Sequence, residues 1–361
     1  MTERPRRAMA ELVARVDDYQ RAHRWLGLPL AVIRKYTDDQ GGYLAALLTY
    51  YAFLSVFPLL LILVTVLGFV LADSPDLQGR LLHTALGEFP IVGGELATSV
   101  HTLHGSVPAL VIGVVVGGYG ALRFAHAGQY VLNQVWAIPR RAWPDPFRAY
   151  ARALLLVAGL GLALIATTAL SGLSTAENVL GGVEVLGGTL ALTTRIVAQL
   201  LAVLVNTGVF VLAFRVLTAH NIPLRDLRPG AIAAGVLWQV MQAIGTYVVG
   251  RELRGINAAY GMFSIVLVLL AWIYVGAFLV VLAAEYNAVR ANRLWPRTLV
   301  AAFRETTELT RADRRAYSLY ATAQQHTAAQ DVSVHFHTQH TVREPESEPE
   351  RTDPDLPPVQ G

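Results

Sequence analysis

An all-α membrane bundle of six transmembrane helices, with the N- and C-termini cytoplasmic, is the fold class that three features of the sequence predict. Six long stretches, 44–72, 107–122, 153–176, 196–214, 229–250 and 256–284, contain no Asp, Glu, Lys or Arg. The hydrophobic share is 54% and the mean hydropathy is +0.43. Arginine-rich connections alternate with arginine-poor ones. A bilayer core about 30 Å thick takes roughly 20 apolar residues of helix, and all but the second stretch reach or approach that length. The second does so if it runs from His104 to Ala125, with Arg123 snorkelling at its inner end. A soluble bundle would need polar outer faces, whereas these stretches are apolar all round. The first begins too late and runs too long for a cleaved signal peptide, so the chain is expected to keep its N-terminus.

The elements follow in order. Residues 1–43 read as a cytoplasmic N-terminal region: a short helix over 8–23, then a stretch, Trp25 to Tyr36, suited to lie in the inner headgroup plane. A plain cytoplasmic helix or loop is the alternative there. Residues 44–292 hold the six spans. Pro58 is expected to kink the first of them. Arg228-Pro229-Gly230 is expected to open the fifth, with the proline in its first turn. Residues 293–329 read as a cytoplasmic helical extension, and 330–361, rich in Glu, Pro, Asp and Thr, as a disordered tail.

Orientation comes from the basic residues. Arg4, Arg6, Arg7, Arg15, Arg21, Arg24, Arg34 and Lys35 precede the first span. The loop 73–106 has only Arg80, against Asp73, Asp76, Glu88 and Glu95. Arg123, Arg140, Arg141, Arg148 and Arg152 fill the next connection, 177–194 has no basic residue although Arg195 bounds it where span four begins, and Arg215, Arg225 and Arg228 flank the following turn. Arg290, Arg293 and Arg297 follow the last span. The positive-inside rule then places both termini in the cytoplasm. Arg251 and Arg254 fall on the expected outer side, with Glu252 between them, as a structural pair or an outward anion contact. The net charge of +3 and pI near 9.2 serve topology and attraction to anionic headgroups. They do not point to nucleic acid. The sequence has no cysteine, which excludes disulfides and Cys-based metal or redox sites.

Certain residues form an ordered set. The first span carries Tyr50, Tyr51 and Pro58, and Asn133 stands in Leu132-Asn133-Gln134-Val135-Trp136. Pro229 and Gly230 open the fifth span, and Tyr260 and Gly261 precede the sixth. Trp272 lies within the sixth, which closes on Glu285-Tyr286-Asn287. Over residues 30–292 this order resembles the YihY/BrkB family of bacterial inner-membrane proteins, including its YhjD branch. The resemblance implies an envelope-integrity or virulence-associated protein of the inner membrane, with transport suspected for the group. An old label of ribonuclease is also attached to that family. Metal-dependent hydrolysis needs clustered His and Asp, but His23, His83, His101, His104, His126, His220 and His326 are scattered. The tail trio His335, His337 and His340 reads as chance composition. No phosphate-cradling loop or nucleophile elbow is present. No enzyme activity, metal or cofactor is expected.

Polar residues inside the bundle are the candidate site. Gln199 and Asn206 share a face of span four, and Gln239, Gln242 and Thr246 share a face of span five. Arg123, His126, Gln129 and Asn133 follow one another at the inner edge of span two. Such residues avoid lipid. They read either as interhelical bonds holding the bundle or as the lining of a polar passage. Glu285 reads as an end-cap or interfacial contact at the inner edge of span six. Two functions stay open: a carrier or flippase-like protein for an envelope lipid or polar-headed molecule, and a non-transporting scaffold. The expected partners are membrane lipids with anionic headgroups at the cytoplasmic face, and no nucleic acid.

Overall fold

The computed structural model describes residues 15, 17–20, 22–70, 107–145, 147–156, 158–159, 189–251, 262–298 and 309–336. Every long regular element among them is an α-helix: α1 (Arg24–Asp38), α2 (Gly41–Val70), α3 (Val107–Val135), α4 (Thr189–Leu217), α5 (Leu224–Arg251), α6 (Met262–Ala291) and α7 (Arg311–Ala323). No strand occurs among the described residues. The expected third span is described only at its start, where 147–156 is helical, and the tail beyond 336 lies outside the described residues.

The long helices pack as neighbours: α2 against α3, α4 against α5, and α6 between α5 and α2, with α1 laid across α6. Each exposes one apolar stripe at helical spacing. On α3 it is Val111, Val115 and Tyr119; on α4, Val197, Leu200 and Leu204; on α5, Ile232, Val236, Val240 and Ile244; on α6, Leu267, Leu270 and Tyr274. A soluble helix turns such a stripe inward, so outward apolar stripes on adjacent helices mark a surface made for lipid. Gln199–Leu217 and Val266–Ala291 are each long and apolar enough to cross a membrane. The buried core gathers where α2, α3, α4, α5 and α6 carry their basic flanks, around Leu48, Val131, Phe214, Leu227 and Val281. We call this the charged end.

Helix α2 continues through Pro58 to Val70. Helix α5 departs from expectation: it begins at Leu224, so Pro229 lies inside it rather than in its first turn. The proline has no N–H to give the carbonyl of Arg225, and that carbonyl accepts instead from Arg290 Nη1 at 3.5 Å. One turn deeper, the side-chain amide of Asn287 bridges the disturbed backbone. Its Oδ1 accepts from the Gly230 N–H at 2.7 Å, and its Nδ2 donates to the Leu227 carbonyl at 2.9 Å. Asn287 is fully buried. Proline, glycine and asparagine thus form one joint between α5 and α6.

Helices α3 and α6 both end without glycine. Ala137 and Arg293 take left-handed φ values of 49° and 53°. The next N–H folds back in each case, Ile138 to the Asn133 carbonyl and Leu294 to the Val289 carbonyl, both at 2.9 Å. These are Schellman closures. The strain of a side chain in the left-handed region is offset by the burial of Ile138 and Leu294.

A Cβ built on Gly230 would stand 2.3 Å from the Ala283 carbonyl oxygen and 2.5 Å from Asn287 Cγ. On Gly118 it would meet nothing within 4 Å. Gly230→Ala should therefore cost about 1–3 kcal/mol by overpacking, and Gly118→Ala should be neutral or gain up to about 1 kcal/mol of helix propensity. Thermal unfolding of the purified protein checks both. Equal melting for Gly230→Ala and the wild type would show that α6 does not close on α5 there.

Candidate functional site

At the charged end, α1 presents Ala31, Val32 and Lys35 to the bundle, leaves Ile33 exposed on its other side and Trp25 exposed in its first turn. Spacings of three and four put Lys35 on the same face as Ala31 and Val32. Ala31 and Val32 pack with Val289, Leu294 and Ala316. That packing carries the Lys35 ammonium into the interior, where it is 1% exposed. Lys35 Nζ lies 2.8 Å from Glu285 Oε2 on α6 and in direct contact with Asp39, the C-cap of α1. It also donates to the Val135 carbonyl at 2.7 Å, where a cation meets the negative end of α3. The Asp39 and Glu285 carboxyl groups thus converge on one ammonium nitrogen. Glu285 is 0% exposed, and the Tyr320 ring of α7 stands over the ammonium at 5.9 Å.

Burial works against the charge of Lys35, but the Glu285 and Asp39 carboxylates more than offset it and hold its pKa above the usual lysine value. Burial pushes the Asp39 carboxyl up, and the attraction of Lys35 only partly reverses this. The Tyr320 hydroxyl is pushed up mainly by burial.

A second ion pair network ties the flanking segments. Arg297 donates to Asp38 at 2.7 Å and to Asp313 at 3.0 Å, and its carbonyl accepts from Gln20. Asp313 completes a capping box with Thr310 at the start of α7 and accepts from the Thr298 N–H at 3.1 Å. The segment before α1, the chain after α6 and helix α7 therefore share one anchor. Beside it, the ends of α3, α4 and α6 and residues 326–328 border a groove of about 1010 Å³, with Trp136, Arg141, His220, Asn221, Asn292 and His326 on its walls.

The sequence-derived candidates fare unequally. Glu285 is a buried partner of Lys35, not an edge contact. Lys35 is no headgroup anchor. Arg123, His126, Gln129 and Asn133 do not gather into one site. Arg123 is exposed over the rings of Tyr51 and Tyr119, at 5.4 and 5.8 Å. His126 meets the Tyr150 ring edge-on. Gln129 is buried and donates to the Ala149 carbonyl at 2.9 Å, while Asn133 accepts from the Ala219 N–H at 2.7 Å. These contacts hold α3 to the segments beside it.

Gln199 is exposed, between Val197 and Leu200 of the outward stripe, so its expected inward place on α4 is corrected. Asn206 donates to Gln239 Oε1 across α4 and α5 at 3.4 Å. Gln242 is half-buried on α5. Trp272 on α6 is 9% exposed, and its indole N–H has no acceptor among the described residues. Tyr50 is exposed and Tyr51 half-buried. The side chains of Pro58, Thr246 and Arg251, and residues Arg254, Tyr260 and Gly261, lie outside the described residues. Among the described residues, no three His, Cys, Asp or Glu side chains converge as metal ligands.

Lipid-facing stripes around a helical bundle whose buried ion pairs gather at one end define a multi-pass membrane protein. The chain belongs to the BrkB family: the model for "Virulence factor BrkB" matches residues 32–302. Among its relatives, a "UPF0761 membrane protein" of Azotobacter vinelandii is 28% identical over 74% of this chain and 64% of its own length. "Inner membrane protein YhjD" of Escherichia coli is 25% identical over 73% of this chain and 80% of its own. A ribonuclease-like protein, YfkH, of Bacillus subtilis is 22% identical over 72% and 93%. The chain spans only 64% and 58% of the lengths of the Azotobacter relative and of a similar Alcanivorax borkumensis protein. No solved structure matches it. The family resemblance read from the aromatic and Pro-Gly positions is borne out, as is the bacterial inner membrane as location.

Lys35→Met would leave two buried carboxyl groups facing each other without their cation. Breaking a buried pair in this way costs about 3–5 kcal/mol, read as a lower denaturation midpoint of the purified protein. Adding Asp39→Asn and Glu285→Gln to Lys35→Met should restore most of the loss, because no charge then remains to be compensated. A single variant as stable as the wild type would show that α1 is not held by this cluster.

Proposed function

We propose that the protein crosses the inner membrane six times with both termini cytoplasmic, and acts as a carrier or flippase-like protein for an envelope lipid or other polar-headed molecule. The orientation is supported by the gathering of Lys35, Arg140, Arg152, Arg215 and Arg290 at the charged end, as the positive-inside rule requires. There α1 would rest in the headgroup layer on Trp25 and Ile33, with anionic lipids as its partners. Residues 1–43 would form that cytoplasmic layer, 44–292 the spans, 293–329 a cytoplasmic extension and 330–361 a disordered tail.

The observation that carries the transport reading is the polar seam between α4, α5 and α6. A Cβ on Gly276 would lie 3.0 Å from the Trp238 ring and 3.7 Å from Met241. One antiparallel turn further, this register sets Trp272 level with Gln242. An amide, a half-buried Asn–Gln pair and an indole donor at bilayer depth are costly in lipid and suit the head of a transported molecule. The scaffold reading is favoured by the Asn206–Gln239 hydrogen bond, which already joins two of these groups to each other. No enzymatic role is part of the proposal; the ribonuclease-like name belongs to the Bacillus relative.

Single Cys probes are clean in a chain without cysteine. For topology, an impermeant thiol reagent on intact cells should label Ser74→Cys and Asn178→Cys but not Thr2→Cys or Thr352→Cys. Labelling of either terminus before lysis would overturn the orientation. For transport, Asn206→Cys, Gln239→Cys and Gln242→Cys should react with small soluble reagents, and Leu237→Cys should not. Gln242→Leu should abolish leaflet-resolved lipid redistribution at an unchanged level of folded protein. Inert thiols at all three positions in energised and de-energised vesicles, with a stability loss of about 0.6–2 kcal/mol per Leu replacement, would select the scaffold.

A further inference from the structure

The Lys35 cluster is unbalanced. One ammonium faces two carboxyl groups, and all three side chains are at most 3% exposed. Fully ionised, the group carries one excess negative charge in a dry interior, which is strongly disfavoured. Neither Glu285 carboxyl oxygen has a hydrogen-bond donor among the described residues, although Oε2 lies 2.8 Å from the Lys35 nitrogen that also touches Asp39. One proton taken from water forms a single carboxyl O–H, supplies the missing donor and brings the cluster from one negative charge to neutrality. The carboxyl groups belong to different elements, Asp39 to the end of α1 and Glu285 to α6.

We propose that Asp39 and Glu285 form a shared proton-binding site whose occupancy decides whether α1 stays docked on α6. Among the described residues, no other group near the cluster takes this part. Lys35 on α1 and Arg297 after α6 are cations already paired with carboxylates. Asp38 is held by Arg297. Tyr36, Tyr274 and Tyr320 are phenols, and α3 contributes only the Val135 carbonyl. With the proton bound, the neutral cluster clamps α1. Its loss leaves an uncompensated buried charge that α1 relieves by lifting Asp39 into water. Burial raises the Asp39 pKa, so the docked state binds the proton more tightly than the undocked state, and docking weakens as pH rises above the ordinary carboxylate range. Lys35, raised above its ordinary pKa, adds a further loss only above that ordinary lysine value. The site holds for a carrier and for a scaffold alike.

Two measurements on the full-length protein in lipid nanodiscs test it. Infrared spectra at about pH 7 should show a protonated carboxyl C=O stretch that both Asp39→Asn and Glu285→Gln remove. Ala31, 1% exposed, and Ile33, 58% exposed, lie on opposite sides of α1. The labelling rate of Ala31→Cys divided by that of Ile33→Cys cancels the pH dependence of the thiol itself. This ratio should rise about tenfold between about pH 5 and pH 9. In the Asp39→Asn background, where Lys35 and Glu285 are already neutral together, it should stay low and flat. Absence of the carboxyl band, its persistence in both variants, or an unchanged pH slope in Asp39→Asn would each overturn the proposal.

Discussion

One buried ammonium sets the arrangement of the charged end. Lys35 reaches the end of α3, the C-cap of α1 and the side of α6 from a single nitrogen. An ion removed from water is held only if every partner stays in place. The positions of three helices are therefore coupled through it, more tightly than apolar packing alone would couple them. Arg297 repeats the device one layer outward and adds α7 and the segment before α1. The apolar core lies directly against these charges, whereas the described spans further along turn apolar stripes outward. Tight packing and charge pairing thus coincide at one end.

Much of the fold was legible. Apolar runs of the right length, and the order of Tyr50, Pro58, Asn133, Pro229, Trp272 and Asn287, led to a helical membrane bundle and to its family, because lipid imposes a composition that few other environments do. The candidate site was far less legible. Helical phase said that Asn206 and Gln239 avoid lipid but not that they meet. The same phase placed Gln199 inward, where in fact the stripe of Val197 and Leu200 includes it. Arg123, His126, Gln129 and Asn133 share one side of α3 but meet different groups, the Tyr51 ring, the Tyr150 ring, the Ala149 carbonyl and the Ala219 N–H, so nearness in sequence did not become a common target.

The cluster itself was missed for a physical reason. A lysine near aromatic residues on a short amphipathic helix reads as a headgroup anchor. Only the alignment of Lys35 with Ala31 and Val32, and of Asp39 one turn on, hinted that the inward stripe carries a charge pair. Glu285 offered less still, since a carboxylate ending an apolar run usually finds water. Their meeting is a property of tertiary structure. The joint at Pro229 was half legible: the proline was visible, but nothing in the sequence showed that Arg290 would serve the Arg225 carbonyl or that Asn287 would bridge Leu227 and Gly230.

The chain order of the cluster bears on how the protein is made. Lys35 and Asp39 leave the ribosome before any long helix of the bundle, and Glu285 enters with the last of them. Until then Lys35 has Asp39 of its own helix end but not the Glu285 carboxylate that ties α1 to α6, and α1 can wait at the membrane surface. Assembly of the charged end is thus a terminal event of biogenesis, and a chain that stalls before α6 displays an unlatched amphipathic helix.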